Sequence, residues 1–143
     1  MNFLLAIVVS ILSYGAVPND TTVNNAKAIN TAISDCADKG GGVVEVPKGT
    51  FTTGSVFLHS GVTLRLNEGA VLLGSSCLSD YSSLVTDLDL SRYESGQGTV
   101  NYNSATDPQW SKAMIFAVGC VGAGIEGEGC IDGGDVRNPL GEE

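Results

Sequence analysis

The stretch Gly61–Ser76, "GVTLRLNEGAVLLGSS", decides between two kinds of fold. It holds two short apolar runs, Val62–Leu66 and Ala70–Leu73, which are separated by the tripeptide NEG. As a hairpin loop, this tripeptide would fold one strand back on the other and give an antiparallel domain. As a bend, it would let the chain continue in one rotational sense, as in a solenoid built from stacked repeats.

A loose repeat favours the solenoid. The segments Lys48–Gly54, Glu68–Gly74 and Glu128–Gly134 all fit the pattern x-G-x-φ-x-x-G, in which φ is an apolar residue. The first two segments begin 20 residues apart (68 − 48), and the last two begin 60 apart (128 − 68), which is three times that step. A fixed period of this size is typical of stacked repeats.

Short strand-like runs fill the same region: VVEVP, GTFTTG, SVFLHSG, VTLRL and AVLLG. They are rich in apolar and β-branched residues, and no Asn-Gly or Asp-Gly pair joins two of them as a two-residue hairpin. Crossovers between parallel strands are overwhelmingly right-handed. We therefore predict an all-β fold, a right-handed parallel β-helix.

An amphipathic helix is predicted over residues 22–39, ahead of these strands. Its apolar side chains recur at helical spacing and form one stripe: Ala26, Ile29, Ile33 and Cys36. Because the end of a solenoid exposes apolar side chains and unpaired backbone, we expect this helix to cap the first revolution.

Both ends and the second face of this helix can also be predicted. Asp20, Thr21 or Thr22 would cap its start, and the three glycines at 40–42 would end it. We expect the polar face to meet water. Its members are Asn25, Asn30, Ser34 and Asp38.

Composition excludes several classes of protein. The 143 residues suit one domain, and an apolar fraction of 43% argues against disorder. Sixteen acidic against seven basic residues give a net charge of −9, which disfavours nucleic-acid binding.

The cysteines do not form a metal motif. With one histidine and no C-x-x-C pair, we expect neither a zinc site nor a cofactor. Four cysteines allow three full disulfide pairings, and buried free thiols are the alternative. The sequence does not choose between these possibilities for Cys36, Cys77, Cys120 and Cys130.

The first twelve residues, "MNFLLAIVVSIL", are almost wholly apolar. They are too short for stable insertion across a membrane but resemble the apolar region of a secretory signal, although no Lys or Arg precedes it. We predict a signal segment at 1–12, a secreted protein and a domain over 13–143. The alternative is that part of this run forms the first buried strand.

Residues 75–111 interrupt the rhythm of short apolar runs and are predicted to form a long loop, which we call the excursion. Aromatic rings stack on sugars, and Arg pairs with carboxylates. The side chains to which this applies lie in or beside the excursion: Arg92, Tyr93, Tyr102 and Trp110. Packing of the loop against the sheets is the interpretation that we favour for them.

Two longer segments identify a family. The segment beginning "LSYGAVPNDTTVNNAKAINTAISDCADKGGGVVEVPKGTF" and the later "AMIFAVGCVGAGIEGEGCIDGGD" resemble the amino-terminal part of polygalacturonase-type glycoside hydrolases, family 28, of the pectin lyase-like superfamily. The resemblance runs from about Leu12 to Asp135. It implies inverting hydrolysis of α-1,4-galacturonan by a secreted protein that acts on pectic polysaccharide and is monomeric at full length. It also places "LSYGA" on the family's first strand.

The family's catalytic segments, N-T-D, D-D, G-H-G and R-I-K, do not occur in this sequence. We therefore assign no catalytic residue, and expect a β-helix that is incomplete at its C-terminal end and inactive alone. Two other classes stay open: a non-catalytic polysaccharide-binding or tailspike-like β-helix module, and a calcium-dependent pectate lyase.

The acidic pairs and the histidine receive structural interpretations. Asp132 and Asp135 in "IDGGD" invite a catalytic reading, but the resemblance implies that Asp132 forms a bend. Asp87 and Asp89 would share one face of a strand, and a solvated loop is the interpretation that we favour. His59 is predicted to lie in a surface turn.

Overall fold

The computed structural model describes residues 6–87, 89 and 111–136. In this part of the chain, one α-helix is followed by a series of short strands, which accords with the frequent glycines and β-branched residues. The elements are β1 Ile7–Ser10, α1 Ala26–Asp38, β2 Gly42–Val46, β3 Gly49–Thr53, β4 Val56–Phe57, β5 Val62–Leu66, β6 Ala70–Gly74, β7 Ile115–Phe116, β8 Gly124–Gly127 and β9 Cys130–Asp132. Short 3-10 helices lie at Ile11–Tyr14 and Leu78–Asp80.

The strands form three sheets. Sheet A has the order β1-β2-β5-β8, sheet B the order β3-β6-β9, and sheet C pairs β4 with β7. All pairings between these strands are parallel. After β1 and α1, the chain visits the sheets in the fixed order A, B, C, and each revolution adds one strand to each sheet it visits. The antiparallel domain is therefore excluded.

The tripeptide Asn67-Glu68-Gly69 is a corner between sheets, as the bend interpretation predicted. The Ala70 N–H donates a 2.9 Å hydrogen bond to the Asn67 carbonyl, and Gly69 has a φ of +77°. The corner at 59–62 has the same construction, with Gly61 at a φ of +73°. A positive φ at the third position of such a turn favours glycine.

The repeat pattern is wrong in its register at the second segment. It aligns Phe51 with Val71, whereas the structure pairs Phe51 with Leu72, and Leu72 in turn with Ile131. The corner between β5 and β6 has three residues, whereas the corner between β2 and β3 has two. One extra residue moves the next strand by one position and exchanges its two faces. Leu72, not Val71, is consequently the buried residue.

Helix α1 begins four residues later than predicted. Asp20 accepts hydrogen bonds from the N–H and the hydroxyl of Thr22, at 2.9 and 2.6 Å, and so closes a local turn instead of capping the helix. Asn25 is the first flanking residue, and its side chain makes no capping hydrogen bond. The predicted end is confirmed, since Gly40 follows the helix with a φ of +99°.

Three of the four predicted members of the apolar stripe of α1 are confirmed as part of the core, and Ala26 is only half-buried. The buried residues of the helix are Ile29, Ala32, Ile33 and Cys36. They form one cluster with inward-facing residues from sheets A and B, among which Phe51 is the largest fully buried side chain. The helix therefore packs against apolar side chains of the strands.

The prediction that the polar face of α1 meets water is wrong for two residues. Asn25 is buried: its amide accepts from the Val17 N–H at 2.7 Å and donates to the Thr52 carbonyl at 3.0 Å. Asn30 is half-buried, donates to the Ser55 carbonyl at 2.9 Å and accepts from the Phe57 N–H at 2.8 Å. Both amides thus supply hydrogen bonds to the outer edges of β3 and β4.

The N-terminal segment forms a strand earlier than the resemblance implies. Ile7–Ser10 pairs with β2 in sheet A, while Ile11–Tyr14, which overlaps the first three residues of "LSYGA", is a 3-10 helix that ends at Gly15 with a φ of +88°. Most of the described part of the apolar run, Ile7–Ser10, thus lies in a sheet, but this strand is not buried, since Val8 is 55% exposed. The signal segment at 1–12 stays a prediction. Within residues 6–87, 89 and 111–136, no helix combines the length and the apolar character needed to cross a membrane.

Candidate functional site

The two ends of the excursion meet at one place beside β4. The Leu84 N–H donates to the Ser111 carbonyl at 2.7 Å, and Ser83 and Lys112 form an antiparallel bridge. Side chains from both ends and from the strands complete this region, which we call the excursion anchor. Its members are Ser55, Ser75, Asp80, Tyr81 and Lys112.

Ser55 joins the outgoing and the returning chain. Its buried hydroxyl donates to the Ala113 carbonyl at 2.7 Å and accepts from the Ser82 N–H at 2.8 Å. The preceding Gly54 lets the backbone approach closely, since a Cβ there would lie 1.9 Å from the Asp80 carbonyl oxygen. Sequence reasoning did not single out Ser55, although a glycine next to a strand run is a signal of close backbone approach.

The outgoing chain is fixed by Ser75, Asp80 and Tyr81. The Ser75 hydroxyl donates to the Asp80 carboxylate, and the Tyr81 hydroxyl donates to the Ser75 carbonyl at 2.7 Å. Burial, and then the negative charge of Asp80, raise the pKa of Tyr81 above its usual value. This phenol therefore stays protonated and able to donate.

Lys112 holds the returning chain against the outgoing one. Its ammonium group donates to the Tyr81 carbonyl at 2.7 Å. All five side chains of the anchor are hydrogen-bonded within the protein. The excursion anchor can hold the two ends of the excursion in position. The Asp80 carboxylate and the Lys112 ammonium group both form hydrogen bonds within it.

A ladder of charges crosses sheet A on another surface. Arg65 lies between Glu45 and Glu126 in the strand register, with its Nε 2.7 Å from Glu126 and an Nη 3.5 Å from Glu45. The hydrogen bond to Glu126 is the main cause that raises the pKa of Arg65. Because all three side chains are partly exposed, the ladder contributes modestly to stability and marks the register of three strands.

The predicted acidic residues lie apart from the excursion anchor. Asp132 accepts a 2.9 Å hydrogen bond from the Gly134 N–H, which is the turn that the resemblance implies. Asp135 is exposed and has a φ of +52°. Asp87 and Asp89 are exposed and lie outside any strand, in agreement with the loop interpretation. The four excursion side chains at 92, 93, 102 and 110 lie outside the described residues.

His59 lies in an exposed corner turn, as predicted. It borders a cavity of about 310 Å³ that Leu58, Val118 and Cys120 also line. The Cys120 thiol donates to the Leu58 carbonyl at 3.1 Å. All four cysteines are free, so none of the three possible pairings is formed. In the described part of the chain, no three His, Cys, Asp or Glu side chains are grouped as metal ligands.

Comparison with known proteins gives relatives over most of the chain. No protein-family model matches it. An exo-poly-alpha-D-galacturonosidase of Dickeya chrysanthemi is 35% identical to the chain over 136 residues, and the match covers 94% of this chain and 22% of the Dickeya protein. A polygalacturonase of Ralstonia nicotianae is 33% identical over 114 residues, and the match covers 76% of this chain and 19% of the Ralstonia protein.

A solved structure agrees with these relatives. The family 28 exopolygalacturonase of Yersinia enterocolitica superposes with a TM-score of 0.66 at 31% identity, covering 90% of this chain and 21% of that one. The chain thus spans about a fifth of the length of these three proteins. The predicted resemblance is confirmed: over this length the chain is similar to polygalacturonases, one of which is a family 28 exopolygalacturonase.

Proposed function

We propose that this chain supplies the first revolutions of a right-handed parallel β-helix in a secreted, pectin-degrading glycosidase that is monomeric at full length. The observation that carries this proposal is the order of the strands: the chain repeatedly visits three parallel sheets, and its relatives are named for action on galacturonan. In this arrangement α1 caps the interior of the helix where it begins.

The reaction proposed for the whole protein is inverting hydrolysis of α-1,4-galacturonan. Inversion requires a protonated carboxyl group at the leaving oxygen and a second carboxylate that activates water across the sugar ring. A cationic group is expected to hold the uronate carboxylate. Since the sequence has none of the family's four catalytic segments, the role proposed for this chain is to begin the scaffold and anchor the excursion, without activity of its own.

A chimera tests this proposal. The segment of the Dickeya enzyme that matches this chain is replaced by the chain itself, and release of reducing ends from polygalacturonate is measured. We expect an active chimera, because the same parallel edges would be presented to the remaining revolutions, and no activity from the 143-residue chain alone. A chimera that also carries Phe51→Asp, which places a charge in the core, serves as the inactive control.

Two outcomes would contradict the proposal. Heat-sensitive hydrolysis by the 143-residue chain would show that it contains a catalytic site. A folded chimera that binds polygalacturonate but does not cleave it would show that the segment does not support the catalytic revolutions. Secretion is tested separately, by sequencing the N terminus of protein recovered from the culture medium: a start near residue 13 supports a signal at 1–12, and a start at Met1 contradicts it.

A further inference from the structure

A four-residue segment lies between helix α1 and the two ends of the excursion. We call residues 55–58, which include β4, the central segment. Its backbone forms hydrogen bonds in two opposite directions, as alternate residues of a strand do. The Ser55 carbonyl and the Phe57 N–H bond to α1, whereas the N–H groups of Val56 and Leu58 bond to the chain that returns from the excursion. What holds this segment on one side therefore limits the position of the chain on the other.

On the side of α1, one side chain forms both hydrogen bonds. The Asn30 Nδ2 donates to the Ser55 carbonyl at 2.9 Å, and its Oδ1 accepts from the Phe57 N–H at 2.8 Å. An amide has a donor and an acceptor side, so Asn30 takes the place of a neighbouring strand. Its contribution is large for this sheet, because the described part of sheet C consists of β4 and β7, which are two residues long each.

On the opposite side, the central segment holds the chain that returns from the excursion. The N–H groups of Val56 and Leu58 donate to the carbonyls of Met114 and Phe116, both at 2.8 Å. The rings of Phe57 and Phe116 are stacked, with their centroids 5.1 Å apart. The returning chain is thus aligned along the central segment by backbone and side-chain contacts together.

Ser55 connects the same segment to the outgoing chain as well. Its N–H donates to the Asp80 carbonyl at 3.3 Å, and its hydroxyl accepts from the Ser82 N–H at 2.8 Å and donates to the Ala113 carbonyl at 2.7 Å. Its carbonyl is the group to which Asn30 donates. Because Ser55 is 2% exposed, these bonds form a buried network that links α1 to both ends of the excursion.

We propose that Asn30 is a positioning residue for the excursion: through Ser55, it determines where both ends of the excursion leave the sheets. Groups that share one hydrogen-bond network are energetically coupled, so releasing the network at α1 loosens it at Ser82. Helix α1 thereby has a second role besides covering apolar side chains. This inference goes beyond the proposed function, because it couples α1 to the excursion and does not depend on the reaction of the whole protein.

Hydrogen exchange of the 143-residue chain, measured residue by residue, tests the proposal. Asn30→Asp keeps the size of the side chain and the acceptor for the Phe57 N–H, but an ionised carboxylate cannot donate to the Ser55 carbonyl. The Ser82 amide, whose acceptor is the Ser55 hydroxyl, should exchange about tenfold faster, as expected for the loss of one buried hydrogen bond. The Gly129 amide, in the corner before β9, should change by less than about twofold.

Asn24→Asp is the matched control, since it makes the same change of charge at an exposed position shortly before α1. Asn24 accepts hydrogen bonds from the N–H groups of Ala26 and Gly54, and an aspartate can accept both. Exchange of the Ser82 amide should therefore stay as it is in the unmodified chain. Faster exchange of this amide in both variants would mean that the added charge, and not the Asn30 bond, is the cause, and would overturn the proposal.

A combination with Ser55→Ala tests whether Asn30 acts through Ser55. Ser55→Ala removes the acceptor of the Ser82 amide, so adding Asn30→Asp to it should change exchange of that amide by less than about twofold. Equal acceleration by Asn30→Asp with and without the Ser55 hydroxyl would overturn the proposal. An unchanged Ser82 amide in Asn30→Asp alone would do so too, because Asn30 would then only close the edge of β4.

Exchange of the unmodified chain in urea, below its unfolding transition, gives a measurement that does not depend on the folding of any variant. The amides of Leu58 and Ser82 should open together, with the same dependence of rate on urea. Opening of the Ser82 amide alone, with a weaker dependence, would mean that the outgoing chain is released independently of the central segment, and would overturn the proposal. An active chimera in which Asn30→Asp leaves Ser82 unchanged would refute this inference and leave the proposed function standing.

Discussion

The two ends of the described structure differ in how their outermost strands are covered. At one end, which we call the closed end, the outer edges of β3 and β4 receive hydrogen bonds from a loop and from asparagine side chains. At the other end, which we call the open end, β8 and β9 have exposed isoleucines at positions equivalent to buried leucines. The strands are alike in composition, so the strands themselves do not determine which end is closed.

The comparison shows that closing a parallel sheet needs polar groups as well as an apolar cover. An asparagine amide has one donor and one acceptor side, like the peptide group of a neighbouring strand. Asn30 uses both sides on β4, and Asn25 uses both on Val17 and Thr52. The apolar stripe of α1 covers the interior, while these amides prevent the strand edge from pairing with another chain.

The largest fall in the free energy of unfolding is expected from Asn25→Leu, which removes side-chain hydrogen bonds at the closed end. The replacement has a similar volume but removes the acceptor of the Val17 N–H and the side-chain donor to the carbonyl of buried Thr52. Loss of partners for buried polar groups costs about 1–3 kcal/mol each, and we expect the free energy of unfolding to fall by about 2–4 kcal/mol. Urea denaturation measures this change.

Glu68→Leu is the control for this substitution, because Glu68 is exposed on the corner between β5 and β6. We expect it to alter the free energy of unfolding by less than about 0.5 kcal/mol. If both variants were equally stable, the closed end would owe its stability to apolar packing alone, and the comparison drawn above would be wrong.

A smaller change in stability, which depends on pH, is expected from a substitution where the N-terminal 3-10 helix contacts α1. The Asp35 carboxylate accepts hydrogen bonds from the Lys39 ammonium group at 2.7 Å and from the Tyr14 hydroxyl. These bonds, that of Lys39 first, lower the pKa of Asp35 below its usual value. A carboxyl group with a lowered pKa in the folded state contributes stability above its unfolded pKa, about 3.9, and loses it as the pH falls through the folded value.

Asp35→Asn removes this contribution and isolates its pH dependence. The difference in melting temperature between wild type and variant should be constant near neutral pH. It should shrink as the pH falls below about 4 and through the folded pKa of Asp35, where the carboxyl group becomes uncharged like the asparagine. Asp38→Asn, three residues along the same helix and exposed, serves as the control. A difference that stays constant down to pH 2 would mean that the ionised carboxylate is not what joins these two elements.

The sequence predicts well those features that depend on neighbouring residues. The strands, the glycine corners at Gly61 and Gly69 and the stripe of α1 follow from local patterns. The extra residue in the corner at 67–69 shifts the register, and only the pairing with β3 reveals it. Similarly, the apolar composition of Ile7–Ser10 suits both a signal segment and a strand.

Partners that are distant in sequence explain what could not be predicted. Asn25 and Asn30 look like solvent-facing helix residues until the strands 25 to 27 residues further on are placed beside them. For the candidate site, the sequence indicates the excursion but not its anchor. Ser55 bonds to Ala113, 58 residues away. The glycine before it indicates a close backbone approach but does not say which segment approaches.

The smallest change in the free energy of unfolding is expected from a substitution of Arg65, which links the middle of sheet A to β8 at the open end. Arg65→Lys keeps the charge but removes the planar group that reaches both Glu45 and Glu126. Because the three side chains are partly exposed, we expect only a small fall in the free energy of unfolding, and we expect the difference to diminish in 0.5 M NaCl. Lys48→Arg, at an exposed corner, is the control.

Hydrogen exchange of Arg65→Lys should show the loss of protection at β8 and not at β2, since β2 also pairs with β1 whereas β8 has β5 as its partner in the sheet. Equal loss at both strands would mean that the ladder stabilises the sheet as a whole, and that the open end is no more easily frayed than the closed one.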